Sequence, residues 1–153
     1  MSDFSCFGLT DKIAIVTGAS QGIGRAIALG LAQAGAHLVL GKYPRGGEQE
    51  IQSVRSEIEA LGRRAIIVPA DVSIKADVDN LMEKAVAEFG RIDILVNNAS
   101  WTGTTPALEV TEEEYDKTMA ASLKSVFFAC QAAAKVMIPN GGGKIINIGS
   151  NFG

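Results

Sequence analysis

The sequence predicts an α/β fold: a doubly wound parallel sheet with helices covering both faces. Three observations carry this. Short apolar runs rich in β-branched residues alternate with longer amphipathic stretches, the first three amphipathic stretches each stop at a glycine, and a glycine-rich turn joins the first apolar run to the first helix. The 153 residues suit one domain of roughly 100–200 residues. With 47% hydrophobic and 20% charged residues the chain can fill a core, which excludes a disordered class.

Lys12-Ile-Ala-Ile-Val-Thr17 is nearly all apolar and reads as a strand buried on both faces. Gly22 to Ala34 carries Ile23, Ile27, Leu31 and Ala34 at helical spacing and ends at Gly35. His37-Leu-Val-Leu40 is the second strand. Glu48 to Leu61 places Ile51, Val54, Ile58 and Leu61 on one stripe, with Gly62 closing it. Ala65-Ile-Ile-Val68 is the third strand, and Ser73 is positioned to cap a helix running to Phe89 before Gly90. Ile92-Asp-Ile-Leu-Val96 is the fourth strand. Thr111-Glu-Glu-Glu114 forms a capping box that opens a long helix to about Met137, apolar nearly all round between Val126 and Ile138 and so expected to be buried on more than one side. Lys144-Ile-Ile-Asn-Ile148 is the fifth strand. Right-handed crossovers give the expected order 3-2-1-4-5, with a switch point between strands 1 and 4. Residues 1–8 read as an N-terminal arm holding Cys6, and residues 9–153 as one domain that looks C-terminally truncated, its fifth strand left as an edge.

Composition narrows the function. Fourteen Lys+Arg against 17 Asp+Glu give a net charge of −3, no basic footprint for nucleic acid or an acidic membrane surface. Two cysteines and one histidine, His37, are too few for a disulfide scaffold or a metal cluster. Cys130 reads as a small core residue. No apolar run reaches the ~18 residues of a membrane span and the first residues lack a signal-peptide pattern, so a cytoplasmic location is expected.

The chemistry begins at Thr17-Gly-Ala-Ser-Gln-Gly-Ile-Gly24. A diphosphate needs free backbone N–H groups, a helix N-terminus and no side chains in the way. Gly18 permits a tight turn, Gly22 lets the diphosphate approach and Gly24 lets the helix pack on the strand, while Ser20, Gln21 and Ile23 supply backbone between them. A glycine-rich turn alone is better explained by packing. Between a buried strand and an amphipathic helix it reads as the opening of a Rossmann-type dinucleotide site.

The Thr-Gly-x-x-x-Gly-x-Gly spacing resembles the short-chain dehydrogenase/reductase family. Asp71-Val72 after the third strand, Asn97-Asn-Ala99 after the fourth, and Gly143-Lys-Ile-Ile-Asn-Ile-Gly-Ser150 at the fifth are similar to family segments in the same order, over residues 9 to 153. The resemblance implies that Asp71 and Val72 meet the adenine, that Asn98 and Ala99 lie beside the nicotinamide, and that Ser150 orients the substrate oxygen. Ser122 stands where the family carries a relay asparagine, and Ser100 where it carries a glycine. The resemblance also implies hydride transfer between a nicotinamide and a small carbonyl or alcohol substrate, in a homo-oligomer or with a completing chain.

An acid about 20 residues beyond the glycines would hold an NAD ribose. Here the second strand leads into Gly41-Lys-Tyr-Pro-Arg45, and Lys42 and Arg45 suit a 2′-phosphate, so NADP(H) is favoured over NAD(H). Gln21, where many NADP-preferring relatives carry a cation, argues the other way. The family's Tyr-x-x-x-Lys pair is not in these residues: Tyr43 is followed four positions on by Gly47, and Tyr115 by Met119. The chain alone is therefore expected to bind cofactor without turnover. The competing reading is a non-enzymatic nucleotide-binding or assembly module completed by another chain.

Overall fold

The computed structural model describes residues 8–150, so Cys6 and most of the expected N-terminal arm lie outside the described residues. Five parallel strands form one sheet in the order β3-β2-β1-β4-β5. In chain order the elements are β1 (Ile13–Thr17), α1 (Gly22–Gln33), β2 (His37–Lys42), α2 (Glu48–Ala60), β3 (Ala65–Pro69), α3 (Lys75–Phe89) and β4 (Ile94–Asn97). There follow α4 (Glu112–Met119), a π-helical turn (Ala120–Lys124), α5 (Ser125–Met137) and β5 (Lys144–Asn147).

The period-2 alternation of β1 fills two cores. Ile13 and Ile15 join Val39, Val78, Leu81 and Leu95 under α3 and α5 on one face. Ala14 and Val16 join Leu38, Leu40, Ile51 and Val54 under α1 and α2 on the other. Both faces are covered, which is why β1 carries no polar residue before Thr17. Helix α1 stops where Gly35 takes φ +107°, a conformation that favours glycine.

Several boundaries differ from the sequence expectation. Strand β2 runs on to Lys42 because Gly41 and Lys42 stay in register with Val68 and Pro69 of β3. Strand β4 begins at Ile94, although Ile92 remains buried beside it. Ser73 does not cap α3: its amide and hydroxyl both donate to Asp71 Oδ1, at 3.0 and 2.6 Å, and the helix starts two residues later. Asp77, in the first turn of α3, accepts instead from the Asp71 amide at 2.9 Å.

The long helix is confirmed in extent but not in regularity. Thr111 Oγ1 accepts from the Glu114 amide at 3.2 Å, as a capping residue should. The Glu114 carboxylate lies over Gly103 instead of returning to the cap. The π-helical turn then divides the helix, and Ser125, Ala129, Ala133 and Met137 form the single buried stripe of α5. Phe127 and Ile138 stay exposed, because no described element packs on that side, so the expected burial on several sides is not seen. Strand β5 is the exposed edge that was expected, with all four residues accessible.

Asp93 locks the N-terminal edge of the sheet. Its buried carboxylate accepts from the Ile13 amide at 3.0 Å and from Arg91 Nε and Nη2 at 3.0 and 2.6 Å, with Lys12 Nζ at 3.5 Å. Burial pushes its pKa up. The Arg91 hydrogen bond, the Ile13 amide and the charges of Arg91 and Lys12 outweigh that and hold it below the usual carboxylate value. A carboxyl depressed on folding contributes stability that is present above its unfolded pKa and lost as pH falls through the folded value. Asp93→Asn should therefore destabilise the fold at pH 7 by about 2 kcal/mol, the scale of a lost charge-assisted hydrogen bond. Denaturant unfolding at pH 7 and under acid conditions checks this: the gap between the proteins should close in acid.

Candidate functional site

The site forms where β1 and β4 end side by side and their chains leave toward different helices. Thr17, buried at the last position of β1, holds the two together. Its hydroxyl accepts from the amides of Asn98 and Ala99, both at 3.0 Å, and lies 3.4 Å from the Val96 carbonyl, to which it donates. Asn98 reciprocates: its Nδ2 donates to the carbonyls of Thr17 and Gly18 at 2.9 and 3.2 Å. Both nearby chain ends thus have their polar groups satisfied inside the fold.

Each glycine of the first turn has its own reason. A Cβ on Gly18, at φ +65°, would sit 3.1 Å from the Ala99 Cα and from Asn98 Nδ2. One on Gly24 would strike the Gly18 carbonyl oxygen and lie 2.5 Å from Asn98 Nδ2, so this glycine packs on the turn itself more than on the strand. Gly22, at φ +55°, has nothing within 4 Å of its Cβ position, which leaves open space in front of the helix. Gln21 stands at the N-cap in extended conformation without a side-chain cap, and the first turn of α1 carries no acid. The helix's positive end is therefore left to an external acceptor.

A cleft of about 640 Å³ lies over this turn. Gly18, Ser20 and Gln21 line it from the first turn, with Arg45 from the turn after β2. Asp71 and Val72 line it after β3, and Asn98 and Ala99 after β4. Gly22 and Gly24 shape the helix end behind this wall, and Ile23 beside them is 63% exposed.

Three candidates stand elsewhere. Lys42 does not line the cleft. Only 3% exposed, its ammonium donates to the carbonyls of Tyr43 and Pro44 at 3.0 and 3.4 Å and lies 3.1 Å from Glu48 Oε2. Ser122, in the π-helical turn, donates to the Trp101 carbonyl at 3.0 Å and accepts from its amide at 3.4 Å, which pins the loop after β4. Ser150 lies exposed, three residues past the end of β5 and outside the cleft lining.

Two features had no sequence signal. Lys117 Nζ sits 3.9 Å over the Trp101 ring, and both residues line the cleft. Arg25 is drawn away from the helix end it flanks by Glu57 on α2, at 2.7 and 2.9 Å. Among the described residues no group of three or more potential metal ligands gathers, and no helix is long and apolar enough to cross a membrane.

The short-chain dehydrogenase family model matches residues 12–153. The chain belongs to the short-chain dehydrogenase family. It is 46% identical over 149 residues to a 2-dehydro-3-deoxy-D-gluconate 5-dehydrogenase of Escherichia coli K12, covering 95% of this chain and 56% of that protein. A short-chain dehydrogenase of Burkholderia cenocepacia, solved in complex with NADP, superposes with a TM-score of 0.87 at 37% identity, over 94% of this chain and 57% of that one. A blue fluorescent protein from a metagenomic library, solved with NADPH, gives 0.85 at 37% identity, over the same shares of the two chains. This short-chain dehydrogenase sequence thus spans a little over half the length of these relatives.

Thr17→Val keeps the shape but removes the acceptor for two amides, so it should cost about 2–6 kcal/mol on the scale of 1–3 per unsatisfied buried group; denaturant unfolding measures it. Gly24→Ala should lower the thermal midpoint more than Gly22→Ala, since only the first drives a methyl into backbone.

Proposed function

We propose that this chain is the dinucleotide-binding portion of an NADP(H)-dependent oxidoreductase that transfers hydride between a nicotinamide and a small carbonyl or alcohol. The carrying observation is the uncapped first turn of α1 opening into a cleft with Arg45 on its wall. The fit to a dinucleotide rests on the space in front of Gly22 and on the lack of acid in that turn. In this reading Gly18, Ser20, Gln21, Gly22, Ile23 and Gly24 present backbone to the diphosphate. Asp71 and Val72 receive the adenine, and Asn98 and Ala99 border the nicotinamide side. When bound, the cofactor supplies or accepts the hydride.

The substrate class follows from the E. coli relative's name: an oxidised sugar acid. Ser150 orients the reacting oxygen, and Ser122 takes the relay position through the Trp101 loop. Neither tyrosine of these 153 residues carries a lysine four positions on, so this chain binds cofactor without turnover. A second copy or a completing segment covers the β5 edge and the exposed Phe127 and Ile138.

The choice of cofactor turns on two side chains of one wall. Arg45 suits a 2′-phosphate by a charge-assisted pair. Glu50, which also lines the cleft, suits a ribose 2′-hydroxyl and favours the second reading, NAD(H). Titration of the protein with NADPH and NADH should give NADPH the tighter binding by about tenfold, the worth of one such pair. Arg45→Glu should reverse the order. Tighter NADH binding by the unaltered protein assigns the site to Glu50 and refutes the NADP(H) reading.

A further inference from the structure

We infer that Lys42 is a positioning residue for cofactor choice: it holds the turn between β2 and α2 in the shape that presents Arg45 to the cleft, and it does not itself touch the dinucleotide. This rests on the NADP(H) reading above.

The ammonium has three N–H donors and no acceptor. Three acceptors surround it: the carbonyls of Tyr43 and Pro44 at 3.0 and 3.4 Å, and Glu48 Oε2 at 3.1 Å. The donor set is full, and none remains for a phosphate. Its charge is also matched. A lysine side chain 4% exposed is costly unless paired, and Glu48 supplies the pair from the first turn of α2. Lys42 and Glu48 together add little net charge, so Arg45 is the cation this turn turns toward the cleft.

The bonds also explain the shape. Residues 43–47 must reverse direction between a strand and a helix. Gly46 and Gly47 do so at φ +75° and +70°, which lends the segment no side-chain restraint of its own. The ammonium ties the first half of the turn, through Tyr43 and Pro44, to the helix beyond it, through Glu48. Arg45 lies between those ties. The turn also abuts the first glycine loop: a Cβ on Gly47 would lie 3.6 Å from Ser20 Oγ. A slack turn would therefore move Arg45 relative to the residues that face the diphosphate.

The test uses the single tryptophan, Trp101, which lines the cleft and reports binding by fluorescence quenching. NADPH and NADH are titrated into the unaltered protein, Lys42→Met and Glu48→Gln, each with and without Arg45→Ala. Amide hydrogen exchange across residues 43–48 is measured without cofactor. Lys42→Met and Glu48→Gln should each weaken NADPH about tenfold, equivalent to one charge-assisted hydrogen bond, and change NADH less than about twofold. Both should speed exchange in the turn, and over Arg45→Ala neither should weaken NADPH further. Glu48→Gln is the milder variant, since it leaves Lys42 in place and keeps an amide oxygen to accept from it, and it serves where Lys42→Met does not fold. Tighter NADPH binding by Glu48→Gln would overturn the inference, because freeing a phosphate ligand would have that effect. A Lys42→Met loss that persists undiminished over Arg45→Ala, or unchanged exchange, would overturn it too. If the unaltered protein binds neither dinucleotide, the cofactor reading itself fails; exchange then still decides whether Lys42 holds the turn.

Discussion

The arrangement depends on one hydroxyl. Thr17 sits where two parallel strands end and their chains part, a place where a buried sheet runs out of ladder partners for its backbone. By accepting two amides from the β4 side it fixes the separation of the two strand ends. Asn98 returns two bonds to the β1 side, and its amide becomes the floor against which Gly18 and Gly24 pack without side chains. The open helix end in front of Gly22 is a consequence of that packing. These bonds hold the two strand ends that border the cleft to each other.

The two ends of the sheet use their charges differently. At the N-terminal end the buried Asp93 carboxylate gathers Arg91, Lys12 and the Ile13 amide around itself. At the C-terminal end α1 has no side-chain cap, and Arg25 in its first turn is tied to Glu57. Lys42 belongs in character with Asp93: a buried charge consumed by structure, next to an Arg45 that is not. Position along the chain does not separate these roles; burial does.

The far side of the sheet is less complete. Among the described residues strand β5 pairs only with β4, and α5 buries one narrow stripe while Phe127 stays exposed. The chain spans 56% of the length of the E. coli protein it matches. The Trp101 loop, held by Ser122 and roofed by Lys117, forms the wall between this open side and the cleft.

The sequence by itself determined the fold class, the strand order and the place of the cleft. Those follow from local signals: β-branched runs, helical stripes, stop glycines and a three-glycine turn, each acting within a few residues of itself. Arg45, singled out for its charge after the second strand, and Asp71, singled out through the family resemblance, both line that cleft. Only the tertiary structure decided what each charge does. Lys42 and Arg45 are alike in the sequence, yet one strand-end side chain lies buried against Glu48 and the other faces the cleft. Ser73 looked like a helix cap, but Asp71 took both its donors and the helix began later. The Trp101–Lys117 stack joins residues 16 apart through a loop whose path no periodicity encodes. Hydrophobic pattern is a local property of the chain, whereas the partner of a polar group is set by whatever folding brings within about 3 Å of it.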